Sequence, residues 1–177
     1  MSGKTVSYLC RINHWDLVWC LRFNQAGRRT GVRALFAAIS RLGNGVFWYA
    51  LMAGMLAWNG WAALVPVLHM IGVGLLCLLV YKWLKGKTSR PRPFELNSDI
   101  FIGAAPLDRF SFPSGHTLHA VGFGVVALAY YPALAWGVAP FVVLVAASRL
   151  VLGLHYPTDV LAGALIGASI ARVSFGL

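Results

Sequence analysis

The chain has 177 residues, of which 59% are hydrophobic and only 11% are charged, and its formal net charge is +10. Soluble domains carry roughly 25% charged residues, so this composition excludes an ordinary soluble domain and, with most of the chain in lipid, disfavours binding to nucleic acid. The positive charge fits the basic flanks of membrane helices, or attraction to anionic head groups and phosphorylated substrates.

Residues 1–41 are predicted to form a basic, amphipathic N-terminal region. They contain seven basic residues and one acidic residue. One apolar helix face is indicated by side chains three or four positions apart, at Val32, Leu35, Phe36 and Ile39. We therefore expect helices that lie at the membrane interface, with a short extra span within residues 14–38 as the alternative.

Five apolar stretches follow and are predicted to be membrane-spanning helices, at residues 42–58, 61–84, 114–131, 133–152 and 157–175. Residues 61–81 contain no charged side chain, and about 20 such residues cross a bilayer core at 1.5 Å per residue. The predicted fold is all-α: a polytopic transmembrane helix bundle of about five to six spans, with residues 1–41 at the interface and residues 42–177 as one transmembrane domain.

Two glycines in the last stretch are four positions apart. Gly163 and Gly167 form a GxxxG pattern, which is typical of closely packed membrane helices. We expect the two glycines to pack within the bundle, and dimerisation of the chain through them is the alternative.

Three polar segments interrupt the apolar stretches: residues 85–93 (KGKTSRPRP), 113–116 (PSGH) and 148–159 (SRLVLGLHYPTD). Short turns at residues 59–60 and 131–132 are expected at the opposite side of the membrane. Because successive spans alternate in direction, all three polar segments are expected at one face of the membrane.

The second polar segment is suited to phosphate. Ser114 is a good N-cap residue, Gly115 allows a ligand to approach the backbone, and His116 falls in the first helical turn. A helix N-terminus offers free N–H groups and a partial positive charge, which favour an anion. The alternative for this segment alone is a helix cap with an interfacial histidine.

The third polar segment carries a charge and a histidine–carboxylate pair. Arg149 sits at the end of an apolar span, where an uncompensated charge is costly. His155 and Asp159 are four residues apart, so the carboxylate can reach one ring nitrogen and orient the other as a nucleophile or base. A structural histidine–aspartate pair is the simpler reading of this segment alone.

Together the three segments supply what phosphoryl transfer needs: cations for the phosphate oxygens, a nucleophile and a proton for the leaving group. Arginine is suited to bidentate phosphate binding. A metal site is disfavoured, because Asp159 is committed to His155 and the remaining acids of the region are scattered, at Glu95, Asp99 and Asp108.

The spacing of these residues resembles the type 2 phosphatidic acid phosphatase superfamily, which includes vanadium haloperoxidases and glucose-6-phosphatases. The family signatures KxxxxxxRP, PSGH and SRxxxxxHxxxD are all matched in order, by residues 85–93, 113–116 and 148–159. The resemblance covers roughly residues 39–175, and residues 42–177 are then a transmembrane phosphatase domain.

The resemblance implies a role for each matched residue. His155 would attack phosphorus and form a phosphohistidine, Asp159 would hold and polarise His155, and His116 would protonate the leaving oxygen and then activate water. No metal or other cofactor is implied. The residues implied to bind phosphate are Lys85, Arg92, Ser114, Gly115 and Arg149.

The function implied is that of an integral membrane lipid phosphatase. The candidate substrates are undecaprenyl diphosphate, phosphatidic acid and phosphatidylglycerol phosphate. The alternatives are a phosphotransferase that passes the phosphate to another lipid, a vanadate-dependent haloperoxidase, and a lipid-binding membrane protein without enzymatic activity. The expected partners are the lipid phosphate and the bilayer, with a homodimer as a further option.

The expected location is the bacterial inner membrane, in a multi-pass topology. The basic residues of region 1–41 favour a cytoplasmic site by the positive-inside rule, whereas the family resemblance favours the outer face. Catalytic arginines are selected to bind phosphate and are poor indicators of topology, and a span within residues 14–38 would reconcile the two views. We expect the outer face.

Overall fold

The computed structural model describes the backbone of residues 3–176 and the side chains of residues 12–176. The described residues contain eight α-helices and no strand. In chain order the helices are α1 (Gly3–Gly27), α2 (Thr30–Arg41), α3 (Phe47–Asn59), α4 (Leu64–Thr88), α5 (Pro93–Leu96), α6 (Gly115–Tyr130), α7 (Ala135–Val151) and α8 (Pro157–Val173). The predicted all-α class is confirmed, and the number of membrane crossings stays a prediction.

The predicted helix boundaries differ from the structure at two places. The stretch 42–58 does not start as a regular helix, because Leu42–Val46 forms a kinked turn in which Gly45 has a φ of +130°. A side chain rarely adopts that backbone conformation, and glycine allows it. Helix α4 continues to Thr88 rather than ending at residue 84, so Lys85 belongs to the helix and not to the loop.

Helix α6 lies at the centre of the bundle and packs against α4, α7 and α8. Its contact with α8 is close because Gly163 and Gly167 face the α6 backbone. A Cβ on Gly163 would lie 2.6 Å from the Ser114 carbonyl oxygen, and one on Gly167 would meet the Leu118 carbonyl oxygen. The expected packing of these glycines within the bundle is therefore confirmed.

Hydrogen bonds of one histidine connect three helices at the end of the bundle far from the polar segments. His69 of α4 lies 3.1 Å from the Tyr130 hydroxyl at the end of α6 and 2.7 Å from the Ser174 hydroxyl after α8. Hydrogen bonds of this kind join neighbouring helices in membranes.

The N-terminal helices lie against the last turns of α7. A Cβ on Gly27 would lie 2.5 Å from the Val151 carbonyl oxygen, and the Asn24 amide donates to that oxygen at 3.1 Å and to the Phe101 carbonyl at 2.8 Å. Of the apolar face predicted for α2, Phe36 packs against the core, Ile39 is buried and Leu35 is exposed.

Much of the apolar surface is exposed, as expected for helices surrounded by lipid. Helix α4 alone presents a row of exposed side chains that includes Val65, Leu68, Leu75 and Leu79. Two helical stretches, Thr30–Leu96 and Pro132–Val151, are long and apolar enough to cross a membrane by length and composition.

Candidate active site

The three polar segments meet at one end of the bundle, and backbone contacts hold them together. The Ser114 N–H donates to the Asp159 carbonyl at 3.0 Å, which joins the start of α6 to the start of α8. The Arg92 guanidinium donates to the Leu154 carbonyl at 2.7 Å and thereby joins the first segment to the third.

Two cations of the first segment, Lys85 and Arg92, share a carboxylate that belongs to none of the motifs. Lys85 and the Tyr81 hydroxyl both donate to the Asp108 carboxylate, and Arg92 donates to it at 2.9 Å. Lys85 also donates to the Phe110 carbonyl at 2.7 Å. Arg92 is only 1% exposed. Asp108 therefore places one negative charge between the two cations, which leaves a net positive charge there.

The second segment begins α6, although its serine side chain does not cap the helix. Ser114 occupies the N-cap position, but its buried hydroxyl pairs with the Thr117 hydroxyl at 3.0 Å. A Cβ on Gly115 would lie 2.5 Å from the Tyr81 ring. Glycine at this position thus admits the ring of Tyr81, in addition to leaving the backbone open.

The third segment places Arg149 in the last turn of α7 and His155 in the turn that follows. Arg149 donates to the Ser40 hydroxyl of α2, and its carbonyl accepts the His155 N–H at 3.2 Å. The turn between them depends on Gly153, which has a φ of +72° and is crowded by Asn24. The backbone position of His155 is therefore fixed by the end of α7.

The predicted contact between His155 and Asp159 is looser than expected. The Nδ1 atom of His155 lies 3.7 Å from Oδ2 of Asp159, beyond the usual range of about 2.7–3.2 Å for a hydrogen bond. Asp159 instead accepts the Tyr156 N–H at 2.9 Å and a guanidinium N–H of Arg90 at 2.6 Å. Asp159 therefore acts on His155 through its charge in this structure.

Burial and nearby charges shift the pKa values of two groups of the site that lie outside the helices. Burial lowers the pKa of His155 to about 4; the positive charges of Arg149 and Arg92 add to this effect, and Asp159 opposes it. Burial also disfavours the Asp108 carboxylate, but hydrogen bonds from Lys85 and Tyr81 outweigh it and hold the pKa of Asp108 below its usual range. At neutral pH the imidazole of His155 is therefore uncharged, and the carboxylate of Asp108 is anionic.

Three charged residues of this region occupy no fixed position of the three family signatures. Asp108 lies against Lys85 and Arg92, and Arg90 joins Asp159 to Asp16 of α1. A sequence signal exists for Arg90, which repeats the Arg-Pro pair of the first motif, and for Asp16, the single acid of residues 1–41. The sequence offers no signal for Asp108.

Two buried donors or acceptors of the site have no hydrogen-bond partner within the described part of the chain. They are Nε of Arg149 and Nδ1 of His155. Buried polar atoms without partners are rare in folded proteins. The free Nε–H of Arg149 is suited to an anion, whereas Nδ1 of His155 faces the Asp159 carboxylate. Among residues 12–176, side chains of His, Cys, Asp and Glu form no group of three that could hold a metal ion.

An apolar cavity of about 470 Å³ adjoins the site. His116 and Gly115 lie at its polar end, beside Tyr81. Its walls come from the kinked turn at 42–46 and from α3, α4 and α6, and the aromatic and aliphatic side chains that line it include Trp48, Tyr49, Ile71, Leu75, Leu78 and Phe123. Tyr49 and Leu75 are largely exposed on the outside of the bundle, so the cavity opens sideways.

A family model described as the PAP2 superfamily matches residues 62–177. The chain belongs to the PAP2 superfamily. The match covers all three polar segments, and the resemblance inferred from their spacing is confirmed.

Known PAP2 relatives resemble this chain over most of its length. An undecaprenyl-diphosphatase from Sulfolobus acidocaldarius is 29% identical over 167 residues, which cover 90% of this chain and 75% of the relative. The crystal structure of LpxE from Aquifex aeolicus superposes with a TM-score of 0.74 at 25% identity, covering 89% of this chain and 93% of that one.

A transmembrane PAP2-type phosphatidylglycerolphosphate phosphatase from Bacillus subtilis superposes with a TM-score of 0.68 at 25% identity, covering 94% of this chain and 85% of that one. Together these relatives establish the coarse function. The PAP2 chain is a membrane protein and a phosphatase of the lipid phosphatase family, and the expected enzyme class, phosphoric ester hydrolase, is confirmed.

Proposed function

We propose that this PAP2 protein hydrolyses the phosphate of a polyprenyl diphosphate lipid, with undecaprenyl diphosphate as the first candidate. The observation that carries the proposal is the apolar cavity with His116 at its polar end, because a lipid chain would occupy the cavity while its phosphate met the polar segments. The undecaprenyl-diphosphatase relative favours this substrate over phosphatidic acid and phosphatidylglycerol phosphate.

In the proposed mechanism, a ring nitrogen of His155 attacks the terminal phosphorus. The N–P bond forms as the bond from the terminal phosphorus to the oxygen that bridges the two phosphates breaks, and a proton from His116 passes to that oxygen of the departing lipid monophosphate. Water then gives a proton to His116 and its oxygen to phosphorus, and the N–P bond breaks to release inorganic phosphate. Such histidine chemistry is covalent catalysis followed by general-base catalysis.

Five residues are proposed to bind the phosphate oxygens during both steps. Support comes from the buried positions of Lys85, Arg92 and Arg149, whose charges stabilise the developing negative charge best where water is excluded. The backbone at Ser114 and Gly115 adds the N-terminus of α6. No metal or other cofactor takes part in the proposed reaction.

We further propose five membrane spans, comprising α3 with its kinked turn, α4, α6, α7 and α8, in the inner membrane of a bacterium with the site at the outer face. The basic residues of region 1–41 argue less strongly for the cytoplasm than their number suggests. Arg28 donates to the Asp99 carbonyl at 2.9 Å, and the Arg33 guanidinium lies 5.0 Å from the centre of the Phe101 ring. Both arginines thus make contacts within the fold that account for their presence without a topological signal.

The test is phosphate release by detergent-purified protein from undecaprenyl diphosphate, phosphatidic acid and phosphatidylglycerol phosphate, each with excess chelator. We expect release that is fastest from the diphosphate and absent in His155→Ala. The matched control is His14→Ala, which removes an exposed histidine of α1 and should leave the rate unchanged. No release from any of the three lipids would refute the proposal, and transfer of phosphate to a second lipid would identify a phosphotransferase.

A further inference from the structure

Asp16 is a completely buried carboxylate in the N-terminal helix, outside the region matched by the family model. It contacts the start of α8, where its Oδ1 atom accepts the Thr158 N–H at 3.0 Å and its Oδ2 atom accepts the Thr158 hydroxyl. A buried charge is costly unless it is paired and hydrogen-bonded. Both conditions are met here, which makes Asp16 a fixed anchor between α1 and the start of α8.

Arg90 connects this anchor to the proposed catalytic pair. One terminal nitrogen of its guanidinium donates to Asp16 at 2.7 Å, and the other donates to Asp159 at 2.6 Å. The same group lies over the ring of Tyr156, 4.2 Å from the ring centre. The planar guanidinium has donors on both sides, so one arginine bridges two carboxylates from helices that are far apart in sequence.

The bridge formed by Asp16, Arg90 and Asp159 also determines the net charge next to His155. Two carboxylates and one guanidinium leave a net charge of −1, and Asp159 keeps its negative character beside His155. Without Asp16, the positive charge of Arg90 would be balanced by Asp159 alone, and the imidazole would face a neutralised pair. Arg149 of α7 and Arg92 of the first polar segment also act on His155, and both are positive. The other titratable groups that face it are His116 of α6 and the Cys20 thiol of α1, which contacts the His155 carbonyl.

We propose that Asp16 is a positioning residue of the active site, which holds Arg90 in the bridge and shares its positive charge, so that the negative charge of Asp159 beside His155 is only partly neutralised. This inference rests on the proposed phosphohistidine function. It makes helix α1 part of the active site, although α1 carries no catalytic residue and precedes the transmembrane helices.

The first test compares the kinetics of Asp16→Asn with those of the full-length wild-type chain, with undecaprenyl diphosphate in detergent. We expect kcat to fall by about 10- to 100-fold, the range typical when an outer residue that orients a metal-binding histidine is removed, with KM changed less than twofold. The acidic limb of the pH profile should move to lower pH, because His155 loses part of its negative surroundings. The matched control is Asp99→Asn, which removes the same charge from an exposed loop.

The second test asks whether the effect passes through Arg90. If Asp16 acts through Arg90, the double variant Asp16→Asn/Arg90→Lys should lose no more activity than Arg90→Lys alone. A lysine keeps the positive charge but cannot bridge the two carboxylates as a fork. Losses that multiply in the double variant would overturn the proposed route.

Folding is checked by the melting temperature of each variant, and Asp16→Glu should restore part of kcat. Should Asp16→Asn not fold, Arg90→Lys alone must show a comparable loss of kcat, and an unchanged kcat would overturn the inference. A wild-type chain with no activity on any lipid phosphate overturns the proposed function itself. An active wild type with full kcat in Asp16→Asn overturns only the role of Asp16.

Discussion

His155 combines burial with a net positive environment. Its side chain is 2% exposed, and the nearest cationic groups that lower its pKa are those of Arg149 and Arg92. An imidazole with a pKa of about 4 is neutral over the physiological range. A lone pair is then available for attack without a separate base to remove a proton from His155.

The first prediction concerns the acidic limb of the pH–rate profile of kcat/KM. Protonation removes the nucleophilic lone pair, so activity is lost as the pH falls through the pKa of His155 in the folded protein. We expect the limb clearly below the value of ~6.5 for a free histidine, with activity retained down to about pH 5. The measurement is initial rates across the acidic range, with recovery at neutral pH showing that the protein stayed folded. A limb at or above ~6.5 would contradict it.

The second prediction concerns Asp108, whose carboxylate engages the same Lys85 and Arg92 donors that are proposed to bind phosphate. Because an incoming phosphate must compete with that carboxylate, Asp108→Asn should lower the inhibition constant of inorganic phosphate severalfold. The thermal stability should fall as well, since removing a partner from a charged hydrogen bond costs about 1–3 kcal/mol.

Inhibition by phosphate would be measured for Asp108→Asn beside Asp99→Asn, a control that removes a carboxylate from the exposed part of the same loop. Equal inhibition constants in the two variants would show that Asp108 does not compete with phosphate.

The residues of the three motifs could be predicted from the sequence to lie at one end of the bundle, because their spacing along the alternating helices is enough to show it. The partners of these residues could not. Asp16 meets Thr158 across 142 positions and Arg90 across 74, so no local pattern records either contact. The looser distance between His155 and Asp159 also depends on Arg90, since the guanidinium holds the other oxygen of the carboxylate.

At the scale of helices, the contact between α6 and α8 positions the second polar segment. Gly163 meets the carbonyl of Ser114, and Gly167 meets that of Leu118 one turn later. His116 lies between these two α6 positions. The separation of the two helix axes therefore determines where His116 stands relative to the start of α8.

The third prediction concerns Gly167→Ala. The added methyl group would clash with the α6 backbone, and overpacking of this kind costs about 1–3 kcal/mol. We expect a lower melting temperature in detergent and a lower kcat, because α6 must shift. Gly137→Ala is the matched control, since a Cβ at that position of α7 meets nothing within 4 Å. Equal melting temperatures for the two variants would contradict the prediction.

The sequence predicted the later helices better than the earlier ones. The stretches 114–131, 133–152 and 157–175 agree with α6, α7 and α8 to within a few residues. Pro and Gly residues bound these apolar runs and so define the helix ends closely. The kink before α3 depends on the positive φ of Gly45, which hydropathy does not reveal. The packing of α1 onto the segment that carries His155 depends on polar contacts of Asn24 and Asp16 that arise only in the folded chain.

At the scale of the whole molecule, exposed tryptophans mark both ends of the bundle. Trp58, Trp61 and Trp136 lie at the end with the short turns, and Trp15 and Trp83 lie near the polar segments. Tryptophan is enriched at both interfaces of a bilayer. The hydrocarbon layer would then lie between these two groups, with the active site at the level of the head groups.

The fourth prediction tests this placement by cysteine labelling in bacterial cells that express the protein. In a Cys10→Ser background, Ser98→Cys lies in the exposed loop near the site and Asn59→Cys lies in the opposite turn. We expect an impermeant maleimide to label Ser98→Cys in intact cells and Asn59→Cys only after the membrane is opened. Labelling of both from the same side would refute the proposed bundle, and the reverse pattern would place the site in the cytoplasm.

Because the apolar cavity opens sideways, the enzyme would take its substrate from the plane of the membrane and not from bulk solution. A lipid that enters between α3 and α4 arrives by two-dimensional diffusion within its own leaflet. Its effective concentration is then a surface density, the number of substrate molecules per area of membrane. Inert lipid or detergent added at constant bulk substrate should slow turnover by surface dilution, as it would for any enzyme that takes its substrate from the plane of the membrane.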